Sequence, residues 1–341
     1  MPSNPRKILV IRLSSLGDVA IAEPVLRELT TKYTQDQFFI LTKPHFVPIF
    51  QNLNVQVINF EAEGRHNGIL GLYKLASEIR KLNIDAVADL HNVLRTMILR
   101  VFLFDLPFIK LDKGRMEKKA LTSGLKFEQL KPTYERYADV FRKLDYEINL
   151  QHPQFPQRAN LSPEINKFIG VDSKKWIGFA PFAAHKGKMY PIELTKEVIQ
   201  TLSENHKVVL FGGGREETKK LKEIANRFNN TISVAGEFSF AQELDIISNL
   251  DLMVSMDSGN AHLAAMKGIP VVSIWGVTHP YAGFYPFNQK EENALLADRE
   301  QFPQIPTSVY GDKCPKDYEE AIRSISPSQI VEKVKKVLAS Y

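Results

Sequence analysis

A single cysteine, Cys314, in 341 residues excludes an internal disulfide and a cysteine-rich metal site, so no structural zinc is expected and a reducing compartment is. Long apolar runs are missing too. The best candidate, around Met97–Phe104, is interrupted by Arg100, and nothing approaches the roughly 18 uncharged residues of a membrane helix. The first residues, Met1–Lys7, lead straight into an apolar strand without the core and cleavage site of a secretory signal, which predicts a cytoplasmic protein. Charge of one sign is also scarce: 44 Lys and Arg against 39 Asp and Glu leave a formal charge of +5, and no nucleic-acid partner is expected.

The composition that remains, 44% apolar and 24% charged, is that of an ordinary globular protein. The length suits two domains of about 150 residues. Short runs rich in Val and Ile alternate with amphipathic segments of helix length throughout, the pattern of parallel sheets covered by helices on both faces. In the first half the strands are expected at 7–13, 37–42, 55–60, 85–90 and 108–112, with helices near 19–32, 69–82, 92–104 and 133–146. In the second half strands are expected at 176–181, 207–212, 232–235, 252–256 and 270–275, with helices near 192–205, 215–228, 241–249, 258–267 and 328–340. Residues 151–163, with Pro153, Pro156 and Pro163, read as a linker. The expectation is an α/β chain of two doubly wound, Rossmann-like domains, 1–155 and 156–341, the last helix being free to pack back on the first domain. Ligands of such sheets bind outside the carboxyl ends of the strands.

Four strand-to-helix turns could carry chemistry. Ser14-Ser15-Leu16-Gly17-Asp18 follows the first strand, and with one glycine it is not a dinucleotide fingerprint, which disfavours a nicotinamide cofactor. Asp18 reads either as a helix cap or as a carboxylate able to act as general base. Residues 178–191 run Gly-Phe-Ala-Pro-Phe-Ala-Ala-His-Lys-Gly-Lys-Met-Tyr-Pro, where small residues such as Ala183 and Ala184 admit a phosphate to backbone amides and Lys186 and Lys188 add positive charge. Asp257-Ser258-Gly259-Asn260 opens a helix whose first amides suit a diphosphate. Asp257 is expected to cap that helix or to hold sugar hydroxyls, and His262, one turn inside, reads as a structural histidine. Gly212-Gly213-Gly214 allows tight turning and close ligand approach. Separately, Lys110, Lys113, Arg115, Lys118, Lys119 and Lys126 gather in a short stretch with only Asp112 and Glu117 as acids, which reads as a solvated helix face or as a surface for an anionic partner.

These motifs agree in order with one family. The turn ending in Asp18, Asp89-Leu90-His91-Asn92 with Arg95, and Thr133-Tyr134-Glu135-Arg136-Tyr137 resemble the amino half of the lipopolysaccharide heptosyltransferases of glycosyltransferase family nine. Lys188-Met189-Tyr190-Pro191, Phe211–Gly214 and Met256–Ala264 resemble elements of the carboxyl half. The resemblance implies a GT-B architecture and transfer of a heptose or related sugar, with inversion and without a metal or other cofactor. It implies an ADP-linked or related nucleotide sugar as donor and a lipopolysaccharide core or other envelope glycan as acceptor. It makes Asp18 the expected base and gives the donor to Ala183, Ala184, Lys188, Gly213, Gly214, Asp257, Ser258, Gly259 and Asn260. Acceptor contacts are expected from Ser15, Gly17, Arg95, Lys113, Arg115, Lys118, Lys119 and Arg136, the basic ones also drawing the chain to an anionic inner-membrane surface. Two departures stand out: Ala183 and Ala184 replace hydroxyls common in the phosphate loop, and Ala321 stands near the place of a second cysteine. A GT-B nucleotide-sugar epimerase and a non-catalytic sugar-nucleotide-binding protein remain open alternatives.

Overall fold

The computed structural model describes residues 5–170 and 172–340. They divide into two compact units: one of residues 5–113 and 131–154, the other of 114–130, 155–170 and 172–340.

The first unit alternates β1 (Lys7–Ile11), α1 (Leu16–Lys32), β2 (Gln37–Thr42), β3 (Gln56–Asn59), α2 (Gly68–Arg80), β4 (Ala86–Asp89), α3 (Leu94–Phe102) and β5 (Phe108–Lys110). Helix α4 (Arg115–Thr122) intervenes before α5 (Thr133–Arg142). The strands form one parallel sheet in the order β3-β2-β1-β4-β5, with Ile11 opposite both Leu41 and Asp89. Strands covered on both faces are buried throughout, which is why β1 reads Lys-Ile-Leu-Val-Ile rather than alternating. Leu9, Ile11, Leu41 and Val87 pack with Leu75 and Ile79 of α2 and Leu99 of α3 in one core, where each fully buried side chain contributes about 1.5–3 kcal/mol.

The second unit begins with α6 (Pro163–Ile169) and continues β6 (Trp176–Ala180), α7 (Ile192–Ser203), β7 (Lys207–Leu210), α8 (Arg215–Ala225), β8 (Thr231–Ser233) and α9 (Phe240–Ser248). It closes with β9 (Leu252–Met256), α10 (Gly259–Met266), β10 (Val271–Trp275), β11 (Ala294–Leu296) and α11 (Pro327–Ala339). Its six parallel strands lie in the order β11-β10-β9-β6-β7-β8. Helix α11 packs on α7 and against β9 and β10 of its own unit, with Ile330 and Val334 entering the core around Phe179 and Val254.

Every strand and helix expected from the sequence is present, most with ends a residue or two shorter. Three features differ, one being the short edge strand β11, which was not expected. Helix α6 starts at Pro163, inside the stretch expected to be a linker, because Ser162 caps it and Pro163 suits the first turn. Residues 114–130, expected within the first domain, belong to the second unit. Leu121 and Leu130 bury against Ala282 beside Tyr281 and Phe284, and Leu130 N donates to Tyr281 O at 3.0 Å.

Candidate active site

In each sheet the strand order reverses at one place: between β1 and β4 in the first, and between β6 and β9 in the second. Connections leave such a switch point in opposite directions, so the loops beyond the strand ends part and open a crevice. The expected base lies after β1, and the expected donor loops lie after β6 and β9.

In the first unit, Ser15 is the N-cap of α1 and Asp18 the third residue of its first turn. Asp18 is thus not the cap itself but the acid of a capping box. Its Oδ2 accepts from the Ser15 hydroxyl at 2.8 Å and from Ser15 N at 3.4 Å, and Arg12 Nη2 lies 2.5 Å from the same oxygen. The side chains are 7% exposed for Arg12 and 23% for Asp18, so the carboxylate reaches solvent while its partner does not. Arg12 is fixed in turn: Nη1 donates to Leu90 O at 2.6 Å, and its guanidinium lies 5.7 Å from the Tyr137 ring. The Tyr137 hydroxyl donates to Asp18 O at 3.4 Å. Within the Thr133–Tyr137 motif, Tyr137 thus packs behind the α1 turn.

Asp89 closes β4 and accepts from His91 N and Asn92 N at 2.9 and 2.8 Å, turning the chain so that His91 faces the start of α1. Leu13 N donates to His91 Nδ1 at 3.3 Å, which leaves the proton of the neutral ring on Nε2. Burial, with Arg12 and Lys113 nearby, pushes His91 down to about 3.

In the second unit, Lys188 Nζ lies 2.9 Å from Asp257 Oδ2, with side chains 13% and 8% exposed. The Thr278 hydroxyl donates to the same oxygen at 2.8 Å. Asp257 therefore does not cap α10, whose N-cap is Ser258; its Oδ2 anchors Lys188. The Lys188 stem runs along Gly311, where an added Cβ would meet Lys188 Cδ at 2.3 Å. The loop that carries Lys188 is docked by main chain, Val277 N donating to Gly187 O at 3.1 Å. A Cβ on Gly276 would stand 2.3 Å from that carbonyl oxygen. Ser258, Gly259 and Asn260 are half-buried at the start of α10, so their amides are presented at the switch point.

Other expected site residues are placed differently. Ala183 packs against the core while Ala184 is exposed. Space is open around Gly213 and Gly214, but Gly213 N already donates to Glu217 Oε2 at 2.9 Å. His262 is buried within α10. Ser15 is exposed and Gly17 half-buried beside Asp18.

The basic cluster divides. Arg115 and Lys119 are exposed on α4 and Lys113 is half-buried before it, whereas Lys118 is buried, its Nζ 4.2 Å from the centroid of the Phe284 ring. Lys118 is therefore a packing residue rather than part of an open basic surface, because the same helix turns Leu121 into the core beneath it. Arg136 is likewise buried, Nε donating to Lys131 O at 3.1 Å. Arg95 is exposed over the Phe60 ring at 5.3 Å.

The sequence reading missed Arg12 and Gly311. Arg12 left a signal, a lone charge at the end of an otherwise apolar strand.

Among the described residues, no group of three or more His, Cys, Asp or Glu is placed to hold a metal ion, and no helix is long and apolar enough to cross a membrane.

The chain is similar to known proteins over most of its length. The chain is 24% identical over 286 residues to the lipopolysaccharide core heptosyltransferase OpsX of Haemophilus influenzae, covering 81% of this chain and 80% of that protein. It superimposes on the crystal structure of a family 9 glycosyl transferase from Veillonella parvula with a TM-score of 0.78, at 20% identity and over 100% of this chain and 99% of the other. The Escherichia coli ADP-heptose lps heptosyltransferase II gives a TM-score of 0.69 at 22% identity, covering 98% and 99%. The two parallel-sheet α/β units are those of the GT-B fold. Residues 72–310, more than half of the chain, match the model of Glycosyltransferase family 9 (heptosyltransferase), and the chain belongs to that family.

Proposed function

We propose that this glycosyltransferase moves a heptose or related sugar from an ADP-linked donor to a hydroxyl of a lipopolysaccharide core or other envelope glycan, with inversion and without a metal. The acceptor oxygen attacks the anomeric carbon, the bond from that carbon to the diphosphate oxygen breaks, and the acceptor proton passes to the Asp18 carboxylate. The products are the new glycoside and a nucleoside diphosphate. In the oxocarbenium-like transition state negative charge grows on the leaving diphosphate. Lys188 and the amides at the start of α10 are suited to stabilise it.

The observation that carries this reading is the fixed carboxylate of Asp18. Arg12 and Ser15 both bind its Oδ2, which holds the group beside the switch point while leaving it partly open to solvent. The similarity to a lipopolysaccharide core heptosyltransferase and to an ADP-heptose enzyme supports the choice of donor and acceptor. Asp18→Asn tests the base. General-base catalysis contributes about 10²–10⁴-fold, so kcat is expected to fall by at least a hundredfold with donor affinity within twofold of the parent; turnover at the parental rate removes the assignment. Chelators are expected to leave activity unchanged, and the anomeric configuration of the product, read by NMR coupling constants, decides inversion.

A further inference from the structure

Helices α2 and α3 of the first unit carry apolar residues on the side turned away from the core as well as on the side that fills it. Leu99 and Thr96 of α3 are buried, but Leu94, Met97 and Val101, spaced along one helical stripe, are exposed, and Phe104 beyond the helix end is 82% exposed. On α2, Ile69, Leu70 and Tyr73 are exposed, Leu70 at 85%. The two stripes join. The helices pack on each other, Tyr73 meets Phe102 edge to face at 5.5 Å, and Ile69 and Leu94 line a shared open groove of about 430 Å³ floored by Leu72 and Ile98. Of 13 large exposed hydrophobic residues among the described ones, seven fall on this one face. A solvated amphipathic helix keeps its outer face polar, and contiguous exposed apolar surface of this kind marks an interaction site.

The charged groups around it that lack an ion pair are mainly basic. Lys74, Arg95 and Arg100 are exposed and carry no ion pair among the described residues. Among the local acids Glu61 and Glu78 share Arg65, and Asp105 pairs with Arg80, so with Glu63 the acids leave one positive charge in excess, and the exposed groups without an ion pair are mainly cations. Apolar side chains interleaved with unpaired basic ones match the boundary of an anionic bilayer, where acyl surface lies under phosphate.

We infer that the exposed face of α2 and α3 seats the chain on the surface of an anionic lipid bilayer, Leu70, Val101 and Phe104 entering the interface while Lys74 and Arg100 meet lipid phosphates. This deepens the reading of an envelope glycolipid acceptor and replaces the 110–126 cluster, whose Lys118 is buried, as the membrane-facing surface.

The test is sedimentation of the full chain with phosphatidylcholine vesicles and with vesicles containing phosphatidylglycerol, at low salt and at 1 M salt, with no donor or acceptor present. Binding is expected to phosphatidylglycerol vesicles and to weaken at high salt, where the screening length falls to about 3 Å. The Leu70→Gln/Val101→Gln/Phe104→Gln variant is expected to bind at least tenfold more weakly. The Lys74→Gln/Arg100→Gln variant is expected to bind roughly thirtyfold more weakly, from about fivefold per charge. Both should keep the parental melting temperature and ADP affinity. Parental partitioning of both variants, or no partitioning by the parent, overturns the proposal. So does a dimer in sedimentation velocity that the triple variant dissolves while no vesicle binds, which assigns the face to a second copy. If the triple variant fails to fold, the charge variant and Phe104→Gln alone carry the test. Because vesicle binding is read without turnover, its failure is distinct from failure of the transferase reading, which the Asp18→Asn assay decides.

Discussion

Arg12 and Lys188 stand in corresponding places, each beside the switch point of its sheet and each holding an aspartate. What surrounds them differs, and so should the consequences of removing them. Lys188 and Asp257 are both largely buried, and breaking such a pair costs about 3–5 kcal/mol because the remaining charge is stranded. Lys188→Ala is therefore expected to lower the melting temperature and to weaken ADP at least tenfold while adenosine changes little. Isothermal titration with both ligands checks this, and equal losses would move Lys188 away from the phosphates. Gly311→Ala probes the same cation without touching its charge. Gly311 has φ +85° and its added Cβ would strike Lys188 Cδ, so the variant should lose about 1–3 kcal/mol of stability and some ADP affinity. Native ADP affinity would mean that the stem yields without moving the ammonium. His91 gives a pH prediction. Its folded pKa, near 3, lies below the ordinary 6.5, so the unfolded chain binds the proton first as pH falls. The stability this depression gives is complete above about pH 6.5 and lost progressively toward pH 3. Urea denaturation at pH 7, 5 and 4 should show a smaller acid loss for His91→Gln than for the parent. Lys188 and Asp257 were legible as charged residues in strand-to-helix loops, but their pairing was not. Nor was Gly311, which lies more than a hundred residues beyond Lys188 and touches it only in the fold.

Among the elements, α4 carries the clearest separation between charge and packing. It presents Arg115 and Lys119 to solvent, while Lys118 lies over Phe284 and Leu121 enters the core. Around it Phe127 stacks under Arg299, whose guanidinium is 3.5 Å from the ring centroid, and meets His279 and Tyr281. Lys118→Ala is thus expected to cost about 1–2 kcal/mol, from a desolvated cation over an aromatic ring and its buried stem, and Leu121→Ala about 2–5 kcal/mol. Arg115→Ala/Lys119→Ala should leave stability within about 0.5 kcal/mol of the parent. Chemical denaturation separates the three, and an unchanged Lys118→Ala would return that residue to the open surface. The sheets were legible because strands buried on both faces announce themselves as apolar runs and the long helices as periodic ones. Helix α4 was not, because four of its eight residues are charged and its apolar anchors meet partners more than 150 positions away, which no local period records. The outer face of α3 was hidden for the opposite reason: Leu-Arg-Thr-Met-Ile-Leu-Arg-Val-Phe reads as a helix whichever of its sides is covered.

For the whole molecule, the division into two units with separate cores makes the response to nucleotide uneven. Unfolding of a chain with two cores need not be two-state. A ligand stabilises only what it binds, by RT ln(1 + [L]/Kd), or about 2.7 kcal/mol at a hundred times Kd. If Lys188 and the start of α10 hold the diphosphate, that stabilisation belongs to the unit built on β6–β11. Saturating ADP should slow amide hydrogen exchange in residues 176–191 and 252–266, which carry the donor loops and the strands feeding them, and leave residues 7–11, 37–42 and 86–89 near their ligand-free rates. Local opening sets exchange in the loops and larger openings set it in the strands, so the effect should be greatest around Lys188 and Ser258 and fall off toward β8 at the sheet edge. Lys188→Ala should roughly halve the contrast at a hundred times the parent's Kd, from about 2.7 to about 1.4 kcal/mol for a tenfold loss of affinity, and Asp18→Asn should preserve it, since the proposed mechanism gives the two residues different reactants. Equal protection of both sheets by ADP would mean either that the two cores open together or that the nucleotide also contacts the first unit. Repeating the exchange in Asp18→Asn and Arg12→Gln chains distinguishes these, because only a direct contact would lose the protection of residues 7–18 while leaving that of 252–266 intact.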